Sequence, residues 1–365
     1  MQPKLRFPEF SGDWESNKLG DICSHFQSGK GITSDHILEV GMYPVYGGNG
    51  LRGYSNSFTH EGTFTLIGRQ GALCGNINLV ENKNYISEHA IAVQANDENS
   101  TYWLSYWLYQ KNLGQLSESS AQPGLAVNKL VKLNIYKPTL REQTKIADFL
   151  SAVDKKITLL EQQQQAWQTY KQGMMQKLFS GELRFKDENG QGFSEWETSV
   201  VGNECVITTG NKDTQNKIDD GQYPFFVRSQ TVESINTYSM DCEAILTSGD
   251  GVGVGKNYHY INGKFDFHQR VYCLYDFSEK IIGKYLFVYF SKFFFDRVKR
   301  LSAKNSVDSV RMDMISKMEI MLPCLAEQQK IADCLSGLDA KIENITEQLD
   351  KMREWKKGLL QQMFV

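Results

Sequence analysis

Residues 142–179 return at 327–364, displaced by 185 positions and without a gap. Of the 38 aligned positions 16 are identical, and 11 of these fall in the first 16, EQTKIADFLSAVDKKI against EQQKIADCLSGLDAKI. One inserted residue would turn every later side chain of a helix by about 100°. An ungapped match of this length therefore marks a helix whose length matters. The chain is one unit built twice, and the question it poses is what needs two similar heads on a connector of fixed length.

Outside the helices the repeat is patchier. FSGDWE (10–15) matches FSEWE (193–197), and each is followed by an apolar residue and Gly, Leu19-Gly20 and Val201-Gly202, then by Cys23 and Cys205. SGKGIT (28–33) pairs with TGNKDT (209–214), YPVYGG (43–48) with YPFFVR (223–228), and LIGRQGALCG (66–75) with LTSGDGVGVG (246–255). Glu88-His89 aligns with Phe267-His268, and KPTLREQ (137–143) with LPCLAEQ (322–328). Short runs of Val, Ile, Tyr and Phe bounded by Gly, Asn and Asp predict strands and turns. One helix per unit is expected, near 103–113 and 285–300. Pro138 and Pro323 break the chain before each long helix, and the polar stretch 180–192 links the units. Each unit thus reads as a mixed α/β segment of about 140 residues followed by a long helix.

The 365 residues carry a formal net charge of −3, which argues against a chain that coats nucleic acid indiscriminately and leaves local basic grooves open. Seven cysteines without a CxxC spacing read as reduced thiols of a cytoplasmic protein. MQPKLRFPEF lacks the apolar core of a signal peptide. IIGKYLFVYFSKFFF (281–295) is broken by Lys284 and Lys292 and reads as a buried helix, not a membrane span.

In the first long helix Ile146, Leu150, Val153, Ile157, Leu160, Gln164, Trp167, Lys171, Met174 and Leu178 alternate spacings of four and three. Adding 185 gives Ile331, Leu335, Leu338, Ile342, Ile345, Leu349, Met352, Lys356, Leu359 and Met363. This is a heptad seam interrupted by Gln164 and the paired Lys171 and Lys356. The plainer alternative is that each helix packs only on its own domain. The sharper expectation is that the two pack on each other, antiparallel, about an approximate twofold. Each spans ~57 Å at ~1.5 Å per residue. On B-DNA that equals roughly 17 base pairs at ~3.4 Å each. Two unlike heads on such a spacer suit an asymmetric target with two read patches and an unread middle.

The duplicated EQxKIAxxLSxxDxKI at 142–157 and 327–342, the Trp-Glu opening of each half, and YKQGMMQKLFSGELRF (170–185) resemble the specificity subunit of Type I restriction-modification systems, over essentially the whole chain. The resemblance implies an α+β fold: two similar target recognition domains, at 1–140 and 181–325, and two conserved helices, at 141–180 and 326–365, forming an antiparallel coiled coil with a pseudo-twofold. It implies a split, asymmetric DNA site, one half per domain. It also implies assembly with two modification (methyltransferase) subunits and with restriction (motor-nuclease) subunits. No cofactor is expected on this chain; S-adenosylmethionine belongs with the methyltransferase partner, ATP and magnesium with the restriction partner. The family usually carries a short tail after the second helix, whereas the second copy stops at Phe364-Val365 without a counterpart of SGELRF; a natural end and a shortened allele are both open, and the expected effect is on assembly stability, not on recognition.

Catalytic motifs are missing from the sequence. The seven prolines are never adjacent, so there is no Asn/Asp-Pro-Pro-aromatic motif of an amino-methyltransferase. GDGVGVGK (249–256) lacks the spacing of a phosphate-binding loop and reads as a Gly-rich turn. His89 and His268 read as an equivalent pair with a folding role. Base reading needs Arg, Lys, Asn, Gln, Ser or Thr on loops. The candidates are Lys30, Asn49, Arg52, Arg69, Gln70 and Gln122 in the first domain. In the second they are Lys212, Arg228, Gln230, Lys256, Asn257, Gln269, Arg270, Lys304, Asn305 and Arg311. Polar positions alike in both helices are expected to dock two identical partners: Glu142, Gln143, Lys145, Asp148 and Lys156, with Glu327, Gln328, Lys330, Asp333 and Lys341. The competing readings are a two-headed coiled-coil scaffold for proteins, and an enzyme with a site in each head.

Overall fold

The computed structural model describes residues 1–71, 73–117, 124–251, 253–301 and 309–365. They form two compact units, Met1–Gln163 with Ile345–Val365, and Gln164–Asn344. The long helices run Leu140–Phe179 and Leu325–Met363, so each unit holds a segment of both.

In the first unit a four-stranded sheet has the order Cys23–Ser28, Ala90–Ala95, Phe64–Gly68, Ile77–Val80. A second has the order Gly50–Ser55, Tyr43–Gly47, Lys83–Ile86, His60–Glu61. In the second unit the corresponding strands join into one six-stranded sheet, because Met240–Ser248 and Tyr258–Phe267 run unbroken. A two-stranded ribbon closes each domain, Glu15–Lys18 with Asn134–Lys137 and Glu197–Val200 with Glu319–Leu322. The two expected domain helices are present as Thr101–Gln110 and Gly283–Leu301. Ser100 caps the first by accepting from Trp103 N. The second buries Tyr285, Leu286, Phe290, Phe294 and Val298 on one face, which accounts for the apolar run at 281–295.

The seam exists. In the first unit Ile146, Leu150 and Val153 share a core with Leu359 and Met363, with Ile157 and Met352 at its margin. Leu160, Ile345 and Leu349 are buried as well. In the second unit Ile331, Leu335 and Leu338 pack with Met174 and Leu178; Trp167 and Ile342 are half-buried. The helices run antiparallel in both units. Phe149 meets Trp355 and Glu161 meets Arg353 in the first; Trp167 meets Lys341 and Lys171 meets Asp339 in the second. The lysines that interrupt the heptads pair across the seam, Lys171 with Asp339 and Lys356 with Asp154. These two ion pairs occupy positions related by the same shift of 185, and each penalises a slip in register within its own unit. Each helix also packs on its own domain, so the two readings of the helices are both realised. Ile146, Ala147 and Leu150 share the core of Trp103 and Trp107; Ile331 and Ala332 share that of Tyr285 and Phe290.

The expected docking role of Glu142, Gln143, Glu327 and Gln328 is corrected here. All four are at most 1% exposed, and their polar atoms are used internally. The Glu142 carboxylate accepts from Arg6 Nε (2.7 Å), Arg6 Nη2 (2.8 Å) and Trp14 Nε1 (3.4 Å). Glu327 accepts from Arg184 Nε (3.1 Å), Arg184 Nη2 (2.7 Å) and Trp196 Nε1 (2.9 Å). Gln143 accepts from Ser100 N and donates to Pro138 O and Asn99 Oδ1; Gln328 accepts from Ile282 N and donates to Pro323 O and Lys280 O. The Glu-Gln pair ties each long helix to the start of its domain helix and to the Trp-Glu strand. A buried carboxylate demands such partners.

The missing counterpart of SGELRF is also found. Leu183 N donates to Lys177 O at 3.0 Å, and Leu5 N donates to Gln362 O at 2.9 Å; the two acceptors are themselves 185 apart. Leu5-Arg6-Phe7 therefore does for the end of the second helix what Leu183-Arg184-Phe185 does for the first. The repeat is closed by the N-terminal peptide.

Candidate nucleic-acid interface

In the first domain four strand ends converge on the loop 87–89. Lys30, just past Cys23–Ser28, bridges to Ser87 and donates its N–H to Ile86 O at 2.9 Å. Ser87 N donates to Tyr46 O at 2.8 Å. Arg69 N donates to His89 O and Arg69 O accepts from Leu125 N, both at 2.9 Å, and Gln70 bridges to Gly124. Asn49 sits at the turn into Gly50–Ser55, where Gly50 takes φ +97°. The Arg52 side chain lies along Gly47; a Cβ there would stand 2.7 Å from Arg52 Cδ. Lys30, Asn49, Arg52 and Gln70 are exposed and Arg69 is half-buried. Among the described residues Lys30, Arg52 and Arg69 have no ion-pair partner.

The second domain repeats this wiring. Lys212 bridges to His268, and His268 N donates to Phe226 O at 2.9 Å. Gly249 N donates to Arg270 O and Gly249 O accepts from Val310 N, both at 2.7 Å, and Asp250 bridges to Ser309. These bonds equate Lys30 with Lys212, Ser87 with His268, Gln70 with Asp250 and His89 with Arg270. The expected equivalence of His89 with His268 is thus corrected by two residues. His89 is exposed, whereas His268 is buried and accepts from Arg270 N through Nδ1 at 2.9 Å. Burial lowers the His268 pKa, and nearby Arg228 adds to the effect.

Here the charged side chains are paired. Arg228 Nη1 meets Asp250 Oδ1 at 3.0 Å and Arg270 Nε meets Asp250 Oδ2 at 3.7 Å. Lys212 lies 3.9 Å from the buried Asp266, and Gln269 donates to Asp213 at 3.2 Å. Asn257 is corrected from reader to support: it is 9% exposed and its amide donates to Arg228 O and Ser248 Oγ. Lys256 rests over the Phe295 ring, 5.8 Å from its centroid, and Arg311 begins the short helix Met312–Ser316. Among the described residues no hydrogen bond or ion pair joins Lys256, Gln230 or Arg311 to the Asp250 network. Gln122, Lys304 and Asn305 lie outside the described residues. The Gly-rich segment is a turn, with Gly251 at φ +80° and Gly255 at φ +64°. The signal missed in the sequence was Asp250, an acid beside two arginines that are distant in the chain.

Among the described residues no cluster of three or more His, Cys, Asp or Glu side chains could hold a metal ion, and no helix is long and apolar enough to cross a membrane. Two homologous α/β domains, each with polar loops at one edge and a long helix behind it, define a duplicated recognition module. The sequence profile described as Type I restriction modification DNA specificity domain matches residues 11–166 and 194–353, and the chain belongs to that family. Among its relatives, the Type I restriction enzyme EcoprrI specificity subunit of Escherichia coli is 38% identical over 154 residues, 41% of this chain. The chain spans only 38% of that relative's length. The Type I restriction enzyme MjaVIII specificity subunit of Methanocaldococcus jannaschii is 26% identical, over 98% of this chain and 92% of the relative. The crystal structure of a Type I restriction-modification S subunit from M. genitalium superposes with a TM-score of 0.78 at 16% identity, covering 100% and 99% of the two chains, and shares the fold.

Proposed function

We propose that this chain is the DNA-reading subunit of a Type I restriction-modification complex, with one half-site assigned to each domain and the modification and restriction subunits directed to the combined site. The observation that carries the reading is the repeated loop wiring with different side chains on it. Among the described residues Lys30, Arg52 and Arg69 have no ion-pair partner in one domain, while Arg228, Arg270 and Lys212 are paired with acids in the other. Two alike scaffolds with unlike edges suit an asymmetric target. The exposed helix residues Asp148, Lys156 and Asp333 are the remaining partner-facing candidates. Lys145 pairs with Glu9, Lys330 donates to Lys186 O, and Lys341 covers Trp167. In this reading S-adenosylmethionine, ATP and magnesium are bound by the partners, and the complex works in the cytoplasm beside the chromosome.

Methylome sequencing tests it. Cells carrying the chain and its methyltransferase partner should show a two-part motif. Replacing residues 1–140 by another first domain should change one part only. A change in both parts, or a one-part motif, would refute the assignment.

A further inference from the structure

Resting on that reading, we propose that Arg228 and Arg270 read guanine in the half-site of the second domain and that Asp250 is the positioning residue that aims them. Three strand ends meet here. Arg228 follows Tyr223–Phe226, Asp250 follows Met240–Ser248, and Arg270 follows Tyr258–Phe267. Each oxygen of the Asp250 carboxylate serves a different guanidinium. Arg228 is held by a hydrogen bond at 3.0 Å and Arg270 by charge attraction at 3.7 Å, and a guanidinium with five N–H donors keeps a fork free in either case. Arg228 is 46% exposed in its side chain and Arg270 66%.

An arginine meant only for phosphate gains nothing from a carboxylate within 4 Å, because the acid cancels its charge and repels the phosphate. A base reader gains orientation, since the bidentate contact to guanine O6 and N7 is the geometry to which the fork is suited. The backbone beneath is fixed too. Asn257 holds Arg228 O, and His268 Nδ1 holds Arg270 N. Gly249 N donates to Arg270 O, joining the Arg270 and Asp250 loops. The same three positions in the first domain are Gly48, Gln70 and His89, so the trio belongs to the second domain alone.

The test uses the full chain with its methyltransferase partner in cells, read by methylome sequencing, with R228A, R228K, R270A, R270K and D250A. Each arginine truncation should relax one guanine of the second half-site roughly 5- to 150-fold. The lysine variants should relax the same position to a smaller degree, because an ammonium lacks the rigid planar fork that Asp250 can aim. D250A should relax both positions while leaving the first half-site as strict as before, a pattern that general loss of folding does not produce. A second half-site without guanine, or arginine variants as strict as the parent there, would overturn the proposal while leaving the two-part site intact. A parent motif that is not two-part would instead remove the reading on which it rests.

Discussion

Removing Arg6 should open the first unit at the root of its long helix. The Glu142 side chain is 2% exposed and that of Arg6 14%, and the two share a bidentate contact at 2.7 and 2.8 Å. Arg6→Ala leaves a buried carboxylate with Trp14 Nε1, at 3.4 Å, as its remaining side-chain donor among the described residues. Stranding one partner of a buried pair costs about 3–5 kcal/mol. Because Arg6 is partly wet, the lower end applies, about 3 kcal/mol, which is roughly a hundredfold in local opening. Hydrogen exchange of the full chain reads this directly. Amides of 5–14 and 140–147 should lose about two orders of magnitude of protection, while 184–197 and 325–332, held by Arg184 and Glu327, stay as protected as before. The double variant Arg6→Ala with Glu142→Gln should recover part of the loss, since a neutral amide needs no counter-ion. A cost for Arg6→Ala of under about 1 kcal/mol, the value of a surface pair, or a double variant worse than the sum of the two singles, would refute the view that the N-terminal peptide completes the second repeat.

Leu150→Ala and Leu335→Ala truncate side chains of 0% exposure at equivalent seam positions, and each should cost about 2–5 kcal/mol in urea unfolding of the full chain; costs below 1 kcal/mol would deny the seam its place in the core. Lys356→Asp should destabilise the first unit by about 1 kcal/mol, and adding Asp154→Lys should restore it, checked by a double-mutant cycle. His60 is held down to about 4 by burial, with His25 and Lys30 adding repulsion, and His25 is lowered by burial. Both rings are therefore neutral in the fold at pH values where the unfolded chain, near 6.5, takes up protons. Stability should be full above that value and fall as pH drops from about 6.5 towards 4, and thermal melts of His60→Gln should show a shallower fall over the same window.

Periodicity and repetition made the rods legible. The 185-residue shift and the four-three spacing mark two alike helices with an apolar seam, because a helical face depends only on local spacing; antiparallel pairing was the sharper of two expectations. The strand-rich domains were legible as a class, and the apolar run at 281–295 as a buried helix. Of the candidate readers, Arg228, Gln269, Arg270 and Lys212 do lie together in the second domain, since glycine-bounded strand ends are where a sheet releases its loops.

Three matters needed the tertiary structure. Glu142 and Gln143, with Glu327 and Gln328, look from their charge like a surface, yet they are an internal clamp whose partners lie 136 residues away for Arg6 and 143 for Arg184. The second LRF, at residues 5–7, stands far from the helix end it completes, and no local rule joins an N-terminus to a C-terminal helix. The matching of Ser87 with His268, and the meeting of Arg228, Asp250 and Arg270, follow from strand register. Register is set by pairing between distant segments, and a slip of one residue turns every side chain to the other face. Sequence alone thus determined that this is one unit built twice on a pair of rods; tertiary pairing alone decided which polar residues are buried in the joints and which are presented at the edge.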